Sequence, residues 1–226
     1  MSACVLASLK RSLSDLLIFI LPYLPTRLRQ MPDDPVIIER IARFKNDLAL
    51  MNPPQLVRKY VAFGDAYILP DDQFFSLKEE VAHHFQVHPN QVFLVGSAKL
   101  GFSIARRKRY RPFTDTSDID VAVVSDRLFD GIWEDVFRYR YQVGYWPQES
   151  EFKNYLFRGW IRPDKLPPAN SFRLGAEWWA FFSELTSSGR YGVYKIAAGL
   201  YRSDFFFESY QSICVSECQE EARIQP

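Results

Sequence analysis

The sequence predicts a single α/β domain of the α+β kind, carrying a helical extension on its N-terminal side, and three observations lead there. Apolar residues recur at helical steps through several stretches of the chain. Two short runs, Gln91-Val92-Phe93-Leu94-Val95 and the β-branched Ile119-Asp120-Val121-Ala122-Val123-Val124, are instead almost continuously apolar, the pattern of buried strands. The 226 residues, 47% hydrophobic and 24% charged, can hold a full core, which excludes a disordered or collagen-like chain.

Taken in order, the first apolar run is Leu16-Leu17-Ile18-Phe19-Ile20-Leu21, closed by Pro22 and Pro25. It is far shorter than the ~20 residues a membrane helix needs. Lys10 and Arg11 precede it, but no small-residue cleavage site follows. No membrane partner is expected, and residues 1–30 read as a peripheral segment, docked on the body or a partner, or else poorly ordered. Ile37, Ile38, Ile41, Phe44 and Leu48 are spaced as on a helix that Asn52-Pro53-Pro54 ends. Pro54 can open a second helix through about Phe63. Ser76-Leu77-Lys78-Glu79 has the form of a capping box, predicting a helix from there to about Phe85.

After Pro89-Asn90 come the two strands, then helices over about 128–141 and 175–185. A third strand is expected over Gly192–Tyr201 and a final helix over 205–218. The division implied is 1–30 peripheral, 31–88 helical extension, 89–218 main domain and 219–226 tail.

Charge is nearly balanced, 28 Lys plus Arg against 27 Asp plus Glu, so a globally basic nucleic-acid binder is not expected. Aromatic residues are uneven, with all five Trp after residue 100. Three cysteines, Cys4, Cys214 and Cys218, make no disulfide framework and point to a reducing compartment. Cys214 and Cys218 stand four apart on a helix; two small packed residues explain them better than a metal pair lacking further ligands. His84 and His88 share that spacing, but the helix should fray before Pro89 and no carboxylate joins them.

The chemistry sits in Phe93-Leu94-Val95-Gly96-Ser97-Ala98-Lys99-Leu100-Gly101 and Thr116-Ser117-Asp118-Ile119-Asp120-Val121. Gly96-Ser97 directly after a strand makes a tight turn whose N–H groups and hydroxyl can hold phosphate oxygens. Asp118 and Asp120 alternate along a strand, so both carboxylates point to one face. Two like charges held close call for a cation, and Mg²⁺ suits a carboxylate pair beside phosphates. A phosphate turn next to two metal-holding acids is what nucleotidyl transfer requires. No Ser-His-Asp arrangement, P-loop lysine or dinucleotide glycine motif is present.

Across roughly residues 91–125 these motifs resemble the DNA polymerase β-type nucleotidyltransferase superfamily. The Gly-Ser-x-x-x-Gly and Ser-Asp-x-Asp form is similar to the minimal nucleotidyltransferases of prokaryotic toxin–antitoxin and antiphage operons. The resemblance implies a nucleotidyltransferase fold, a small mixed sheet flanked by helices, with Gly96 and Ser97 on the triphosphate and Asp118 and Asp120 on Mg²⁺. It also implies a bacterial, cytoplasmic enzyme that moves a nucleoside monophosphate from an NTP onto a protein or RNA acceptor, with an operon-encoded partner protein. The alternative is a catalytically degenerate nucleotide-sensing or partner-binding module of the same fold.

Two features depart from that pattern. Ser97 and Asp118 are 21 residues apart, so an extra loop intervenes, and it contains Arg106-Arg107-Lys108-Arg109-Tyr110-Arg111. Placed between turn and acids, Arg106, Arg107, Lys108, Arg109 and Arg111 are candidate phosphate or RNA contacts, although such runs are as often a solvated face. Lys99 is a further candidate for the triphosphate. The family's third carboxylate has no counterpart on the expected strand 192–201, which has Lys195 near its middle. Arg158, Arg162 and Lys165 around Trp160 form a second basic-aromatic group, read either as a base-stacking site or as a buried Trp with Arg stems over it.

Overall fold

The computed structural model describes residues 34–168 and 170–224. The readings for residues 1–30, including Cys4 and the run 16–21, lie outside the described residues.

Pro35–Leu50 forms α1, which buries Ile37, Phe44 and Leu48 on one side. Asn52 caps α2 (Pro53–Val57), accepting from the Gln55 N–H while the Gln55 side chain returns to the Asn52 N–H. The chain then widens into a π turn at Arg58–Ala62. The next helix, α3 (Asp71–Phe85), starts five residues before the expected Ser76. Pro70 sets its start, and Asp71 and Asp72 sit in its first turn, where the helix dipole favours acids. Ser76 is interior, and its hydroxyl donates back to the Asp72 carbonyl at 2.8 Å.

Four strands follow, β1 (Val92–Val95), β2 (Ile119–Val124), β3 (Trp160–Ile161) and β4 (Ile196–Tyr201), in the order β1-β2-β4-β3. β1 runs antiparallel to β2, β2 parallel to β4, and β3 antiparallel to β4. The sheet is therefore mixed and small, as expected. Between its strands lie α4 (Gly96–Leu100), α5 (Asp126–Gln142), α6 (Glu149–Phe157) and α7 (Arg173–Ser187), and α8 (Asp204–Ile224) closes the chain. α6 and β3 carry no clear periodicity and were not foreseen; α8 runs on through the expected tail. The expected third strand is shorter at its start, because Gly192 takes φ +93° and Val193 is 84% exposed, so residues 192–195 approach the sheet as a loop.

The two faces of the sheet carry different cores. Val92, Leu94, Ile119, Val121, Val123, Ile196 and Leu200 pack with Leu77 and Val81 of α3, Phe129 and Val136 of α5, and Trp178 and Phe182 of α7. On the other face Ala122, Val124 and Tyr201 meet Phe44 and Leu48 of α1, Leu56 and Val57 of α2, and Phe207 and Val215 of α8. Helices from before residue 89 thus share both cores with the sheet, and the chain from Pro35 onward is one compact unit. The boundary expected at residues 88–89 does not separate two bodies. Deleting a filled core position such as Phe44, 1% exposed, would cost about 3–5 kcal/mol.

Candidate functional site

β1 ends in the register pair Val95↔Asp120, so the residue after it, Gly96, turns directly beside the acid strand. Gly96 takes φ +65°, and a Cβ there would lie 3.1 Å from Asp120 Oδ2. Both the backbone angle and the space demand glycine. Ser97 follows, half-buried, and its carbonyl accepts from the Gly101 N–H at 2.8 Å to close the turn. No hydrogen bond engages the Ser97 hydroxyl among the described residues.

Asp118 and Asp120 come together as the alternation requires. Among the described residues neither carboxylate accepts a hydrogen bond or pairs with a cation. Asp120 opens into a cleft, solvent-exposed at its mouth but surrounded by protein on its other sides. The resulting desolvation, then the Asp118 charge, pushes its pKa up to about 6, against the pull of Lys195, Lys108 and Arg162.

The cleft encloses about 940 Å³ and is lined by Gly96, Ser97, Asp118 and Asp120 together with Lys108, Arg111, Arg162 and Lys195. Its volume suits a nucleotide-sized ligand. A hydroxyl-rich loop leads into the acids and also lines it: the Thr114 N–H donates to Ser117 Oγ at 3.0 Å, and Ser117 N–H to the Thr114 carbonyl at 2.8 Å.

The basic run is divided in its placement. Lys108 and Arg111 face the cleft. Arg109 turns away; its side chain is 8% exposed, ion-paired with Glu221 and donating to the Glu217 carbonyl at 3.1 Å. Arg106 reaches the same Glu221 at 3.7 Å. These two pin the loop to α8, and Arg107 is exposed beside them. Lys99 also departs from its expected role. It is 1% exposed, its Nζ donates 2.6 Å to the Gly64 carbonyl and lies over the Phe74 ring, so it supports the turn from behind and does not line the cleft.

At the far end of the cleft Trp160 lies parallel to its cross-strand partner Tyr201, centroids 5.5 Å apart, with Tyr210 at 4.5 Å. Gly199 leaves the room: a Cβ there would meet Trp160 Nε1 at 2.5 Å. Arg162 lies over Trp160 at 5.5 Å, held by two 3.0 Å bonds to Asp164 and one of 3.1 Å to the Tyr155 hydroxyl. Lys165 is taken up by Glu151 and Asp164. Tyr201 at the end of β4 and Tyr210 and Gln211 on α8 line this end and escaped the sequence reading, since they follow the acids by over eighty residues and no local motif marks them.

The other metal candidates are dispersed. His84 stacks on Phe181, centroids 3.9 Å apart, and His88 Nδ1 accepts from the Asn90 N–H as the cap of a short turn. Cys218 donates to the Ile104 and Cys214 carbonyls, and burial pushes both thiols up. Among the described residues no group of three or more His, Cys, Asp or Glu is placed to hold a metal ion. The third acid lining the cleft, Asp164, is engaged by Arg162 and Lys165. No helix among the described residues is long and apolar enough to cross a membrane.

No family model, curated protein or solved structure matches this chain.

Proposed function

We propose that the cleft binds a Mg²⁺-nucleoside triphosphate and transfers its nucleoside monophosphate to a hydroxyl of a protein or RNA acceptor. One observation carries this reading: the Gly96 backbone and the Asp120 carboxylate converge within one cleft, 3.1 Å from a Cβ at the former to Oδ2 of the latter. Phosphate-binding turn and metal-binding acids thereby address the same point.

The donor set fits Mg²⁺. Asp118 and Asp120 offer hard oxygens without competing hydrogen bonds, and a cation would offset the desolvation and the Asp118 repulsion that together raise Asp120. Asp118 and Asp120 would hold the ion, which when bound would neutralise charge on the phosphates and polarise the phosphorus. Ser97 and the backbone at Gly96 would hold phosphate oxygens, while Lys108 and Arg111 offset their charge from the loop side. In the transfer the acceptor oxygen forms a bond to the α-phosphorus, the α–β bridging P–O bond breaks, pyrophosphate leaves, and the acceptor proton passes to water.

Incubating the chain with each α-³²P-labelled NTP, Mg²⁺ and candidate protein or RNA acceptors tests the reading. Label should move to an acceptor with the wild-type chain and fail to with Asp118→Ala. Transfer that survives Asp118→Ala, or label bound without any transfer, would sink the catalytic assignment. The second of those results is what a nucleotide-sensing module would give, and the engagement of Asp164 by Arg162 is the observation that favours that alternative.

A further inference from the structure

The strand beside the acids presents a cation where a further metal-binding carboxylate would be useful. The β2–β4 ladder begins at Ile119↔Ile196, so Asp118 and Lys195 are the residues immediately before it on the two strands. The Ile119 N–H donates 2.8 Å to the Lys195 carbonyl, which fixes that alignment. Asp118, Asp120 and Lys195 all line the cleft, and the Lys195 charge acts directly on Asp120. Its ammonium makes no ion pair or hydrogen bond among the described residues. The next position on that face of β4, Ala197, is opposite Asp120 and too small to add a ligand.

Two divalent ions in a phosphoryl-transfer site sit about 3.5–4 Å apart and need carboxylates to bridge and offset them. Here Asp118 and Asp120 are the only lining acids without a partner among the described residues, Asp164 being engaged, so a second ion would have no carboxylate of its own. One divalent ion uses both aspartates, and the Lys195 ammonium adds positive charge in the same cleft without needing a ligand. An ammonium on a four-carbon stem is a compact point charge suited to a phosphate oxygen.

We propose that Lys195 takes the place of a second metal: the site accepts a single divalent ion on Asp118 and Asp120, and Lys195 carries the remaining phosphate charge. This rests on the triphosphate reading of the cleft. Mn²⁺ titration of the full chain followed by EPR should give one bound ion per wild-type chain. Lys195→Glu, which adds a carboxylate at an exposed position, should bind two, with the broadened spectrum of a coupled pair. In calorimetric titration with inorganic tripolyphosphate at saturating Mn²⁺, Lys195→Met should weaken binding about tenfold or more, with Lys195→Arg near wild type. Two ions on the wild-type chain, one on Lys195→Glu, or unchanged tripolyphosphate affinity in Lys195→Met would overturn the substitution and leave the triphosphate reading in place. A wild-type chain that binds neither Mn²⁺ nor tripolyphosphate would overturn both.

Discussion

Gly96, the first residue past the β1–β2 ladder, lies so close to Asp120 that a methyl group on the former would touch the carboxylate of the latter, 3.1 Å from Oδ2. Gly96→Ala therefore pays twice, for φ +65° and for displacing Asp120. The backbone part alone costs about 1–2 kcal/mol. Chemical denaturation should show that loss, and triphosphate binding should fall with it even below the unfolding transition. A variant that loses stability but binds Mn²⁺ and tripolyphosphate as wild type would separate the turn from the site.

Asp120 should make both stability and binding pH-dependent. Its folded pKa of about 6 lies above the ordinary value of 3.8, so between these values the folded state holds more protons than the unfolded one. Stability of the ligand-free chain then falls as pH rises from about 4 to 6 through this group. Asp120→Asn removes the fall, so its melting temperature should match wild type near pH 4 and exceed it at pH 7.5. Mn²⁺ affinity follows the opposite course, rising from pH 5 to 7 as the carboxylate ionises. Parallel pH series of thermal melts and Mn²⁺ titrations check both signs.

The basic loop should split into an anchoring and a binding part. Arg109→Met removes a nearly buried guanidinium from Glu221 and the Glu217 carbonyl, at a cost of about 2 kcal/mol in denaturant unfolding. Tripolyphosphate binding weakens as well, because Lys108 and Arg111 lose their placement. Lys108→Ala should weaken binding without the stability loss, and Arg107→Ala should change neither. Loss of binding in Arg107→Ala would mean that the whole run, rather than two of its members, addresses phosphate.

Lys99 gives a contrasting titration. Burial lowers its pKa from 10.5 to about 8, so between these values the unfolded chain holds the extra proton. Wild-type stability should rise as pH increases from about 8 to 10.5 through this group, and Lys99→Met should abolish that rise. Tripolyphosphate affinity should be unaffected, since Nζ is committed to Gly64.

Most of the local pattern could be read along the chain. Val92–Val95 and Ile119–Val124 form strands where continuous apolar residues predict them, and Gly96 turns where a glycine after a strand should. Errors fell where competing local signals were stronger than expected, as when Pro70 and two aspartates started α3 ahead of Ser76. Lys99 misled because sequence places it inside the turn motif, while helical rotation in α4 carries its side chain to the opposite side.

What the sequence determined by itself was short-range: the turn at Gly96-Ser97, and the pairing of Asp118 with Asp120 on one face, because strand alternation acts over two residues. What tertiary structure decided was which distant groups join them. Parallel pairing of β2 with β4 brought Lys195 beside Asp118, the seat of Trp160 on Gly199 closed the far end, and Glu221 on α8 chose which arginines leave the cleft. Those choices depend on registers and ion pairs between residues roughly forty to over a hundred positions apart, which no local periodicity encodes.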